Sequence, residues 1–297
     1  MKRIVLLLLL SCGVAALPVM LTEQALRIPP ERRSEPDNTK ALDIAGLTGT
    51  TWNEAEITTP DGAKLKGWTF LPSPERDSGK AVILLHGAGD TRKGMLGFSR
   101  FFAQRGYATL VVDSRGHGVS GGPQVTYGLL EKRDVHHWAD YLMSVKPNAR
   151  LYGLGVSMGA AVLIQSLETE PRFRSIVAEC SYSTFRAAAS ERIPRLTGLP
   201  AVFSAPIVSA AFFYAKMRYG YDLESISPLE SVKHARTPVL LIHGLDDGRT
   251  TPEQSRTLHA ANPQATELWE VPGARHVQAS VVAQREFEDR VLRWFEK

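Results

Sequence analysis

The sequence predicts a doubly wound, mostly parallel α/β sheet, and three observations carry that prediction. Continuous apolar runs of the kind that make fully buried parallel strands recur along the chain, in AVILLHGAGD after Lys80, in ATLVVDSRGHGVSGG (Ala108 to Gly122) and in PVLLIHG (Pro238 to Gly244). Helix-like segments separate strand-like ones, at Met95 to Arg105, Leu129 to Val145 and Ser280 to Glu296. Several strands end in glycine-rich exits, which places a site at the carboxyl ends of the strands.

Taken in order, the chain opens with Lys2 and Arg3 ahead of an uncharged, leucine-rich run from Ile4 to Leu21. The basic start, the apolar core and the small residues around Ala15 and Ala16 fit a cleaved signal peptide over 1–26. The run is also about long enough to span a bilayer as an uncleaved anchor, with Pro18 weakening its end. Either reading exports the domain, tethered to a membrane or released. Arg27, Arg32 and Arg33 oppose that orientation under the positive-inside rule. Residues 27–47 are polar, with Pro29 and Pro30 paired, and read as a linker. Thr51 to Ser73 alternates around Asp61-Gly62, a hairpin signal. Further strands are expected at Leu151 to Val156, Phe173 to Glu179 and Leu268 to Gly273, completing one domain over 48–297.

Composition is that of an ordinary globular protein, 43% hydrophobic and 22% charged. Of the net charge of +4, the first forty residues supply +2 (six basic less four acidic), so the folded part is nearly balanced. No basic stripe points to nucleic acid. The two cysteines, Cys12 and Cys180, could pair only through the apolar leader, and Cys180 reads as a small buried residue. No HExxH, Cys/His ligand spacing or Walker loop is present, so no metal and no cofactor is expected.

The chemistry centres on Leu151 to Glu168, a strand, a glycine-dense turn and a helix. Within the turn, Gly155-Val156-Ser157-Met158-Gly159 is a G-x-S-x-G element, which puts a serine on a sharp strand-to-helix turn at the positive end of the helix. A chance match and a dinucleotide fingerprint through Gly153, Gly155 and Gly159 are the rival readings. Strands precede the element, whereas the fingerprint belongs to the first βαβ unit of its domain. A nucleophilic serine needs a base and an acid to orient that base. Of eight histidines, His276 alone combines a late position, a strand-end loop and a preceding small-residue turn. His86 and His243 precede glycine at strand ends, where they brace loops. Asp246 and Asp247 both follow the Pro238–Gly244 strand; either could be the acid, and either could be a turn residue or a helix N-cap.

HGAG at 86–89, DSRGHGVSGG at 113–122, GVSMG at 155–159, HGLDDGRTTP at 243–252 and PGARH at 272–276 together resemble an α/β-hydrolase-fold serine hydrolase, over roughly Thr51 to Lys297. Within that superfamily the chain is similar to Bem46-like and prolyl-oligopeptidase-like esterases. The resemblance implies Ser157 as nucleophile, His276 as base and the aspartate third after the glycine, Asp247, as acid. One extra residue before Pro252 keeps Asp246 in contention, and Glu179 is an alternative because some relatives draw the acid from that strand end. The backbone N–H groups of Ala88 and Met158 are implied as oxyanion donors. Asp113, Arg115 and Ser120 are expected to shape a neighbouring loop, and Tyr182 and Ser183 to line a pocket. The stretch 186–230 is expected to hold a short helical lid. Its apolar middle, Leu199 to Asp222, contains Phe203, Phe212, Phe213 and Tyr214, with Phe212 and Phe213 facing an acyl pocket; a crossover helix packed on the sheet is the competing reading. The expected substrate is a small-molecule carboxylic ester with a short to medium apolar acyl chain, ahead of an amide or peptide. Alternatives are a non-catalytic binding member of the fold and an acyltransferase using the same three residues.

Overall fold

The computed structural model describes residues 16–28 and 38–297. Eight strands form one sheet in the order β1-β2-β4-β3-β5-β6-β7-β8. The hairpin β1 (Thr50–Thr58) and β2 (Lys64–Pro72) is antiparallel and joins β4 (Ala108–Val112) antiparallel. From β4 the sheet is parallel through β3 (Lys80–Leu85), β5 (Arg150–Val156), β6 (Phe173–Glu179), β7 (Val239–Gly244) and β8 (Thr266–Val271). Every residue of β3, β4 and β7 is buried, which is why these strands read as unbroken apolar runs.

Helices cover both faces. One apolar layer packs α4 (Glu131–Val145), α5 (Met158–Ser166) and α9 (Pro252–Ala261) on the sheet through Trp138, Leu163 and Leu258. The other packs α3 (Leu96–Ala103) and α11 (Gln284–Glu296) through Phe102, Phe287 and Phe295. The closing helix expected from Ser280 is broken at Ala283, between α10 (Ala279–Val282) and α11. Between β6 and β7 the chain inserts α6 (Phe185–Thr197), α7 (Ser204–Tyr219) and α8 (Pro228–Lys233).

Two N-terminal features depart from the sequence reading. The stretch read as a linker contains α2 (Thr39–Thr48), which buries Ala41, Ile44 and Thr48 at helical spacing and ends on Gly49 in the left-handed region. The tail of the stretch read as signal or anchor is helical over residues 16–26, here α1, and packs on the domain with Leu26 only 1% exposed. Most of the Ile4–Leu21 run lies outside the described residues, and among these no helix is long and apolar enough to cross a membrane. The third core cluster joins Leu26 to Ala161, Tyr182, Phe185, Val208 and Phe212, so α1, α6 and α7 share one apolar interior above the strand ends.

Candidate active site

Ser157 sits between β5 and α5 with φ 54° and ψ −117°, a backbone region that a side-chain-bearing residue rarely occupies. The turn is that tight because its glycines permit it. A Cβ on Gly155 would collide with the Gly159 carbonyl, and one on Gly159 with the Leu85 carbonyl of β3. The Ser157 N–H donates to the Glu179 carbonyl at 2.7 Å, tying the elbow to β6.

His276, on the loop after β8, places Nε2 2.9 Å from Ser157 Oγ and Nδ1 2.7 Å from Asp247 Oδ2. An ionised carboxylate only accepts, so Nδ1–H donates to Asp247 and Nε2 is left to receive the serine proton. Asp247 Oδ1 accepts from the Arg249 and Thr250 N–H groups at 2.8 and 3.0 Å. Burial alone would raise the Asp247 carboxyl. Hydrogen bonds from His243, His276 and the Arg249 N–H outweigh it and hold the group well below the usual carboxylate range. His243 is wholly buried and braces this loop, with Nδ1 2.6 Å from Ser255 Oγ, and Nε2 2.9 Å from the Thr250 carbonyl and 3.3 Å from Asp247 Oδ2.

The other acids fall outside this line. Asp246 is exposed, and its backbone N–H donates to the Ala274 carbonyl at 2.9 Å. Glu179 is buried with Oε1 accepting from the Ala279 N–H at 3.0 Å, while Oε2 has no hydrogen-bond partner among the described residues. Burial pushes it up to about 7. The Cys180 thiol, also raised by burial, accepts from the Val277 N–H at 3.4 Å and steadies the residue after His276.

The two residues expected to supply oxyanion donors, Met158 and Ala88, lie on the turn and on the β3 loop beside it. Met158 is the first residue of α5, so its N–H has no partner within the helix. Ala88 follows Gly87, where an added Cβ would sit 3.3 Å from Ser157 Cβ. The β3 loop is held by two buried histidines. His86 Nε2 accepts from the Ser114 N–H at 3.0 Å, and His117 Nε2 from the Gly89 N–H at 3.1 Å. Burial lowers His86 to about 4, which keeps it neutral. Asp113 accepts from the Arg92 and Val119 N–H groups, Ser120 donates to the Asp113 carbonyl, and Arg115 makes a bidentate pair with Asp134. These three residues shape the loop, as the sequence suggested.

A cavity of about 1040 Å³ opens over Ser157, Met158, Ala88 and His276. Tyr182 and Phe212 line it, and Phe212 is 7% exposed and stacked on Phe185 with ring centroids 5.6 Å apart. Two expectations fail here. Phe213 is 68% exposed and points away, because consecutive helix positions face different directions. Ser183 turns from the cavity to bond Gln254 of α9 at 2.6 Å. Residues missed from sequence also line the wall, Leu21 to Ile28 above all, together with Tyr127 and the exposed Arg192 and Arg249.

A parallel sheet with an antiparallel entry, a strained serine on the β5–α5 turn and an acid–histidine pair on later strand ends define an α/β-hydrolase fold. The model of the family described as serine aminopeptidase, S33 matches residues 76–227, just over half of the chain, and the chain belongs to that family of hydrolases. It is 31% identical over 189 residues to the uncharacterized protein YqkD of Bacillus subtilis, a match covering 63% of this chain and 60% of that one, less than two thirds of the relative's length. YfhR of Escherichia coli K12 is 25% identical over 234 residues, 75% of this chain and 73% of that protein. Among solved structures, the Pyrococcus furiosus esterase Pf2001 superposes with a TM-score of 0.73 and 26% identity, covering 91% of this chain and 97% of that one.

Proposed function

We propose that the protein is a serine hydrolase that cleaves carboxylic esters through an acyl-enzyme. The observation that carries this reading is the unbroken line Asp247–His276–Ser157, with spacings of 2.7 and 2.9 Å. As His276 Nε2 takes the hydroxyl proton, Ser157 Oγ bonds to the substrate carbonyl carbon and the carbonyl electrons move to oxygen. The Ala88 and Met158 N–H groups and the positive end of α5 stabilise that oxyanion. Collapse expels the alcohol, which receives the proton from His276. Water then gives a proton to His276 and attacks the acyl carbon; collapse releases the acid, and Ser157 Oγ leaves with the proton returned by His276. An apolar cavity lined by Tyr182 and Phe212 favours an apolar acyl group, and the esterase among the solved relatives agrees with that substrate class.

Ser157→Ala should abolish ester turnover by several orders of magnitude while thermal unfolding stays within about 1 kcal/mol of the parent. Residual burst-phase release of alcohol by this variant would contradict the assignment.

A further inference from the structure

The residues that follow the apolar N-terminal run are built into the site. All eight from Leu21 to Ile28 border the cavity that contains Ser157 and His276. Their attachment is specific and reaches two separate parts of the domain, the loop before α4 and the helix α7. The Val125 N–H donates to the Leu26 carbonyl at 2.9 Å and the Tyr127 hydroxyl to the Ala25 carbonyl at 2.8 Å, fixing the segment to the loop before α4. Thr22 Oγ1, whose hydroxyl donates to the Pro18 carbonyl at 2.8 Å, lies 3.2 Å from the Ala211 carbonyl of α7. Glu23 accepts from Tyr214 at 2.9 Å and from Tyr219, and pairs with Arg27 at 3.0 Å, while Arg27 also donates to Tyr219 at 3.1 Å. Hydrogen bonds from Tyr219 and Tyr214 and the Arg27 charge keep the Glu23 carboxyl below its ordinary range despite some burial. A leader destined for removal needs none of these contacts, and its loss would uncover Tyr127 and the cluster around Phe185 and Phe212.

We infer that residues 21–28 are a permanent wall of the acyl pocket and set the length of chain it accepts, with Leu21 and Leu26 as the determining side chains. The inference rests on Ser157 being the nucleophile.

Trimming Leu26 lengthens the apolar channel and enlarging Leu21 shortens it, with discrimination of about tenfold or more for changes of one or a few methylenes. The test measures kcat/KM on acetyl to dodecanoyl esters for the full-length protein and its Leu26→Ala and Leu21→Trp variants. Leu26→Ala should raise the ratio of long-chain to short-chain turnover about tenfold, and Leu21→Trp should lower it. Should Leu26→Ala not fold, Leu21→Trp, at a half-buried position, reads the same ratio in the opposite sense. The intact mass of the enzyme isolated from its own cells should include residues 21–28. Wild-type ester turnover with an unchanged ratio in the folded variants would overturn the wall alone, as would an active native enzyme that begins beyond residue 28 with the full chain's selectivity. A parent whose Ser157 takes no fluorophosphonate would remove both this inference and the nucleophile on which it rests.

Discussion

At the scale of single residues, neighbours of similar chemistry are sorted by what surrounds them. Asp247 has His276 and the bracing His243 on one oxygen and two backbone N–H donors on the other, whereas the adjacent Asp246 carboxyl faces solvent. Asp247→Asn should therefore cost on the order of 10⁴ in turnover, because the amide no longer fixes the histidine tautomer. Asp246→Asn should change turnover less than about threefold, the scale of a surface substitution. Steady-state kinetics on one ester compares them, and the reverse ranking would move the acid to Asp246. Glu179 offers a different readout. Its folded-state value of about 7 lies above its ordinary 4.5, so between those values the folded chain holds a proton that the unfolded chain has released. Stability from this group is complete below about pH 4.5 and is lost as pH rises through 7. Glu179→Gln should raise the melting temperature relative to the parent at pH 8 more than at pH 5. An equal shift at both would show that the carboxyl does not titrate between them. That Ser157 and His276 would meet was legible from the G-x-S-x-G element and the chain order, and the structure brings them to 2.9 Å. The choice between Asp246 and Asp247 was not, because both occupy one turn and only the return of the β8 loop selects Asp247.

At the scale of elements, what could be read depended on whether an element's burial follows a simple period. The central strands are covered on both faces and announce themselves as apolar runs, and the Asp61-Gly62 turn marks the β1–β2 hairpin equally clearly. By contrast, α2 buries only Ala41, Ile44 and Thr48 and leaves Leu42 and Leu47 exposed, so its burial does not follow its apolar residues and its stretch looked like linker. In α7 the apolar residues surround the helix, and composition could not say which faced inward. The structure buries Val208, Phe212 and Ala215 and leaves Phe213 and Met217 outside. Phe212→Ala should thus do two things at once, costing about 3–5 kcal/mol of stability and shifting ester preference towards bulkier acyl groups. Phe213→Ala should do neither. Chemical denaturation and the ester series together check this; equal effects from the two would mean that α7 does not present Phe212 to the cavity.

At the scale of the whole molecule, the site is assembled from segments far apart in the chain, and this was the least legible level. A leader and an inward-packing helix are both apolar, so the N-terminal run masked the role of Leu21 to Ile28. The partners that reveal it, Tyr127, Ala211 and Tyr219, lie more than a hundred residues downstream. Strand ends of one parallel sheet, by contrast, must converge on a common edge, and that topology made Ser157, His276 and an aspartate after the Pro238–Gly244 strand recognisable as a set from the sequence. The measurement that tests that set most directly is the intact mass of the full-length protein after brief exposure to a fluorophosphonate, with the adduct mapped by peptide sequencing. A single adduct on Ser157, formed at a rate that collapses in the His276→Ala variant, is the predicted result. Ester turnover without any adduct on Ser157, or labelling of Ser157 at the same rate without His276, would contradict it.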